Sequence, residues 1–237
     1  MDRVSIPHSS FLYLELLFLG ALIFPPLVES VRVLSNLNFN PQQEYTEIIT
    51  GAVSPSVFST IIQAIISLGM YLQFRTEKKR KSQFFLPLVF LLVFLLTNSF
   101  FWNWIAQNQG AETFQLQEIK IQNLFLMIVA TSFAAFYEEI VYRWSGPKIL
   151  CLILSKKNQK DGAELEKRGL PIKCIFLEAP MIIIFGLSHG YGGWMAVGNA
   201  LVAGTALRLC TIRTESPFPS FFAHLTYNFI QFFLLLQ

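Results

Sequence analysis

Charge is what this chain has least of: 14% of its 237 residues are Asp, Glu, Lys or Arg, against roughly a quarter in a soluble domain. So few charges would not keep a water-exposed surface of that size dispersed, which excludes an ordinary soluble fold. Cysteine is scarce too. Cys151, Cys174 and Cys210 form an odd set with no C-x-x-C pair, which argues against a disulfide framework and a thiolate zinc cage and leaves them as small apolar packing residues. No internal repeat or low-complexity tract is evident. A formal charge of +3 is too modest to point to nucleic acid, so the placement of the basic residues matters more than their sum.

What the chain has instead is apolar surface: 53% hydrophobic residues, 24 of them Phe. A membrane-spanning helix needs about 20 mainly apolar residues, and candidates fall at 9–28, 53–74, 84–105, 121–144, 174–190, 194–210 and 217–236. A shorter stretch, Pro147 to Leu154, reads as a re-entrant or interfacial piece. The expected fold is all-α, a polytopic transmembrane helical bundle of seven or eight spanning helices. Residues 1–120 supply the N-terminal helices, and residues 121–237 the remaining ones, with a charged cytoplasmic loop at 155–173.

Basic residues cluster at Arg75, Lys78, Lys79, Arg80 and Lys81 and again at Lys156, Lys157, Lys160, Lys167, Arg168 and Lys173, while loops 29–52 and 106–120 are mainly acidic. The positive-inside rule makes the basic loops cytoplasmic, with Arg208 and Arg213 on a further inside loop, and gives an inside N-terminus and an outside C-terminus. The first segment has only Arg3 as a flanking positive charge and no small-x-small site before Glu29, so it reads as a retained helix. Pro25 and Pro26 are expected to stop or kink it.

Three polar patterns interrupt the hydrocarbon. The fourth segment holds Glu138, Glu139 and Arg143, each charge costing about 2.5–3.5 kcal/mol on insertion scales. Glu139 and Arg143 have the acid-first, four-residue spacing of a helical ion pair. Adjacent helical residues point about 100° apart, so Glu138 faces a different neighbour. Placement of both acids at the cytoplasmic interface remains open. The second pattern is Phe185-x-x-x-His189 followed by Gly190 to Gly193, and the third is His224-x-x-x-Asn228, whose members share a helical face. Taken singly, these are equally a satisfied histidine, a tight turn and an interhelical polar clasp. Two of the three histidines fall in such motifs, while His8 lies in the N-terminal lead and is assigned nothing. A glutamate, two histidines and an amide donor are the parts that activate water and stabilise an oxyanion.

In this order the motifs resemble those of the CAAX-protease and bacteriocin-processing (CPBP, Abi) family of intramembrane endopeptidases, and in particular its type II CAAX prenyl endopeptidase-like members. Glu138-Glu139-x-x-x-Arg143 looks like E-E-x-x-x-R, Phe185-x-x-x-His189 like F-x-x-x-H and His224-x-x-x-Asn228 like H-x-x-x-N/D. The resemblance spans residues 121–237, which it makes the catalytic core, and implies peptide-bond hydrolysis inside a membrane cavity. Glu138 is then the general base, His189 helps to hold the water, and His224 and Asn228 are oxyanion donors, with Glu139, Arg143 and Phe185 in support. It implies a peptide or protein substrate, either a prenylated CAAX protein or a bacterial peptide or membrane protein. A short bacterial-type member of the cell (inner) membrane is the expected setting. A zinc ion on Glu138, His189 and His224 is the rival mechanism; with no H-E-x-x-H present, the cofactor-free route is preferred. The competing function classes are a non-catalytic immunity or scaffold protein and an ion or proton carrier.

The loop Ser155 to Lys173 separates the first two motifs by more than the compact bacterial pattern. A plain seven-span path also puts Glu138 and His189 near opposite membrane faces. Either 147–154 lengthens the fourth element or makes it re-entrant, or the turn Gly190 to Gly193 lies within the membrane, lining a wet cavity.

Overall fold

A computed structural model describes residues 9–36, 57–74, 84–108, 121–157 and 172–235. Their elements are α1 (Ser9–Asn36), α2 (Val57–Gln73), α3 (Phe85–Asn108), α4 (Ile121–Glu138), a π-helical segment (Glu139–Ser145), α5 (Gly146–Lys157), α6 (Ile172–Leu187), a 3-10 turn (Gly190–Gly192), α7 (Gly193–Thr214) and α8 (Phe218–Leu235). The chain is a helical membrane bundle. Among the described residues four helices are long and apolar enough to cross a bilayer, at Tyr13–Arg32, Phe85–Ile105, Phe125–Cys151 and Gly190–Thr214. Two shorter apolar helices, Phe58–Gln73 and Glu178–Leu187, accompany them. Four such helices among the described residues support a membrane bundle but not a count of seven or eight.

His8, the basic cluster 75–81, and Lys160, Lys167 and Arg168 lie outside the described residues, as do positions 37–52 and 109–120 of the acidic loops. The expected loop 155–173 is shorter at both ends, since 155–157 close α5 and 172–173 open α6.

The path decides between alternatives at two places, with 147–154 lengthening the fourth element as one expected solution had it. Residues 147–154 are not a separate re-entrant piece: α4, the π segment and α5 form one uninterrupted helical run from Ile121 to Lys157. Glu138 therefore sits midway along a long element rather than at its end. Nor do Pro25 and Pro26 stop α1, which runs through both to Asn36. Pro26 has no N–H to offer the Leu22 carbonyl one turn back. The Tyr137 hydroxyl of α4 donates to that carbonyl instead, at 3.0 Å, so the acceptor that Pro26 leaves is satisfied.

The main core lies where α1, α2, α6 and α7 meet the π segment. Leu22, Ile23, Met70, Ile140, Val141, Met181, Phe185 and Ala200 are among its members. A second cluster joins α3, α7 and α8 through Leu95, Leu207 and Ala223. The end of α1 is tied to the turn after α6 by Ser30 Oγ, which donates to the Ser188 carbonyl at 2.7 Å. Gly193 then starts α7 at φ 75° and ψ −177°, a conformation open essentially to glycine alone.

Candidate active site

The π segment is where the first motif lies. All seven of its residues are buried, and the Gly146 N–H donates to the Val141 carbonyl five residues back, the π rather than the α register. A side chain at Gly146 would run into that carbonyl and the tip of Met181. Single π turns inside α-helices are recurrent at functional sites because they re-aim side chains without ending the helix.

Glu139 is fully buried and its Oε1 is shared by two partners, Arg143 Nη1 at 2.9 Å and His224 Nδ1 at 2.9 Å. A buried carboxylate of this kind persists only when paired. Arg143 is itself buried, and its guanidinium carbon lies 3.9 Å from the centre of the Phe185 ring, a cation–π contact. The Phe185 and His189 rings are 4.5 Å apart. His189 Nδ1 lies 2.8 Å from the Phe185 carbonyl. A carbonyl only accepts, so Nδ1 carries a proton and the neutral ring presents Nε2 as an acceptor.

Glu138 behaves differently from its neighbour. Its side chain is 20% exposed against 0% for Glu139, and its Oε2 lies 3.8 Å from His224 Nε2, beyond hydrogen-bond reach. The His224 ring thus stands between the two acids, bonded to one and facing the other. Glu138, Arg143 and His224 are also electrostatic neighbours of His189. Asn228 follows His224 on the same face of α8, half-buried and with no hydrogen-bond partner among the described residues. Six of the seven motif residues are therefore linked into one cluster, and Asn228 is adjacent to it through α8 alone. Among the described residues no three His, Cys, Asp or Glu side chains are grouped as a metal ion would require. As they stand, Glu138, His189 and His224 do not form a ligating trio.

Sequence reasoning missed one pair. Arg208, expected on an inside loop, lies within α7 and is half-buried. Its Nε donates to Glu178 Oε2 of α6 at 3.0 Å, and Nη2 donates to Oε1 of the same carboxylate. Glu178 and Arg208 are opposite charges in two neighbouring apolar segments. The costly intramembrane charge that drew attention to Glu138 was the signal for them as well.

Residues 120–230 match the model of the family described as type II CAAX prenyl endopeptidase Rce1-like. This stretch of the chain is Rce1-like. The resemblance drawn from the three motifs is thereby shown, and all seven motif residues fall inside the Rce1-like region. That family is one of proteases, which points to a hydrolase acting on a membrane-associated peptide or protein. Neither a curated protein nor a solved structure matches the chain. Helices α1 to α3 lie outside the matched stretch, yet α1 reaches into it through the Leu22 and Ser30 contacts.

Proposed function

We propose that the chain is an intramembrane endopeptidase in which Glu138 takes a proton from water as that water attacks a peptide carbonyl. The observation that carries this reading is the His224 ring held between Glu138 and Glu139, which joins the third motif to the first while Arg143 over Phe185 joins the first to the second. Nε2 of His189 accepts from the same water, because its Nδ1 is committed to the Phe185 carbonyl. The base is the more exposed glutamate, and the buried one holds structure.

Oxyanion stabilisation imposes a condition on His224. Its Nδ1–H is held by Glu139, so Nε2 donates to an oxyanion only when the ring carries both protons. Asn228 supplies the second donor through its side-chain amide. Loss of one such donor typically costs about 100- to 1000-fold in rate, so Asn228→Ala should lower kcat by about that factor and leave residual turnover. As the tetrahedral intermediate collapses, Glu138 gives its proton to the departing amine nitrogen while the C–N bond breaks, and the balance closes on water and peptide alone. No metal is invoked, and a chelator should leave turnover unchanged.

The substrate falls in one of two classes, a prenylated CAAX-type protein or a bacterial peptide or membrane protein. The physiological setting proposed is a bacterial cell membrane, with about seven spans and a cytoplasmic N-terminus by the positive-inside argument. Purified full chain is to be assayed in detergent against a quenched prenyl-peptide and a generic peptide library, beside Glu138→Ala, His189→Ala and His224→Ala. The proposal expects cleavage by the parent and loss in all three variants. Equal activity in all four would refute it and favour a non-catalytic membrane protein of the same fold.

A further inference from the structure

Pro147 follows the π segment and has no N–H to give to the turn before it. Arg208 of α7 supplies a donor to that turn: its Nη1 donates to the Arg143 carbonyl, while Nε and Nη2 grip both oxygens of Glu178. Both side chains are 11% exposed, so the contacts are shielded from water, where ion pairs lose most of their strength. One planar guanidinium thereby joins three elements, α6, α7 and the π segment.

The elements it joins are those that carry the site. Arg143 holds Glu139 with its side chain, and Glu139 holds His224. Glu178 lies on α6, and His189 follows two residues after that helix ends at Leu187. We infer that Arg208 is a positioning residue that, with Glu178, fixes the Arg143 backbone and so sets the placement of Glu139 and His224 relative to His189. A lysine would supply the charge but not the fork that serves a carboxylate and a carbonyl together. The link to turnover rests on the proteolytic reading; the link to His224 geometry does not.

The test uses the full chain labelled with 15N-histidine in detergent micelles. The chain has three histidines, so His189→Gln and His224→Gln assign the ring signals. Wild type is compared with Arg208→Lys, Arg208→Gln and Glu178→Gln. The inference expects both Arg208 variants to shift the His224 Nδ1 signal away from its hydrogen-bonded position, and Glu178→Gln to shift it less. Wherever a cleaved peptide has been found, kcat should fall about 100-fold, as for a misplacement of about an ångström, with KM nearly unchanged. Unaltered His224 signals in a folded Arg208 variant would overturn the inference, even if melting temperature or turnover had dropped. If Arg208→Gln does not fold, Arg208→Lys and Glu178→Gln carry the same decision. A wild type that cleaves no peptide would defeat the proteolytic reading alone, since the ring signals still decide this one.

Discussion

Helix α3 exposes Phe85, Val89, Phe90, Val93, Phe94, Phe100 and Phe101, and only 22% of its apolar window is buried inside the protein. In Glu139–Ser145 every residue is buried. Both stretches are helix in the same bundle, but their polar residues differ in kind. On α3 they are neutral: Trp102 Nε1 donates to Asn98 Oδ1 at 3.2 Å, Asn98 Nδ2 donates to Asn199 Oδ1 of α7, and Asn199 Nδ2 donates to the Tyr227 hydroxyl of α8 at 3.4 Å. The π segment adds to its neutral Tyr142, Trp144 and Ser145 a carboxylate and a guanidinium tied to a histidine. Neutral amides find substitute partners in a bilayer at little cost, whereas an unpaired buried charge does not. One region therefore packs helices together, and the other can keep a charged centre in hydrocarbon only because each charge has a partner.

Substitutions should break this contrast by unequal amounts. The largest effect is expected at Glu139: Glu139→Gln strips Arg143 and His224 of their shared acceptor and should lower unfolding free energy by about 3–5 kcal/mol, read by denaturation in mixed micelles, along with rate. Next comes Gly146→Val, whose side chain collides with the Val141 carbonyl and Met181; overpacking of this sort costs about 1–3 kcal/mol, and the π register should be lost with it, a change visible in backbone amide exchange across 141–146. Asn98→Val removes the α3 clasp and should cost about 1 kcal/mol with turnover retained in the peptide assay. Phe90→Leu on the exposed side of α3 should stay within about 0.5 kcal/mol of the parent. A larger loss at Asn98 than at Glu139 would reverse the assignment of the two regions.

The helices were legible because apolar length is a coarse signal: each of the seven expected segments coincides with a helix, although the ends move and α1 outlasts its prolines. Span number was less legible, since hydropathy marks apolar runs and not how far each helix travels. The motif residues could be read from the cost of intramembrane charge and from four-residue spacing. The π register could not, because a shift from four to five in hydrogen bonding leaves no mark in composition; Gly146 and Pro147 are its only visible traces. Arg208 was misplaced because a charge near the end of an apolar run looks like the start of a loop until its partner on another helix is seen. Glu15, buried in α1 with its Oε2 unbonded, is an intramembrane charge that the motif spacing did not single out.

The division between the two adjacent glutamates is the central claim, and Glu138→Gln tests it most directly. Turnover of a cleaved peptide is to be measured beside the melting temperature of the same preparation, with the wild type as reference. The account predicts that cleavage falls by at least about 100-fold, the scale of a general base, while melting stays within a degree or two, a shift of well under 1 kcal/mol. Full turnover in folded Glu138→Gln would contradict it.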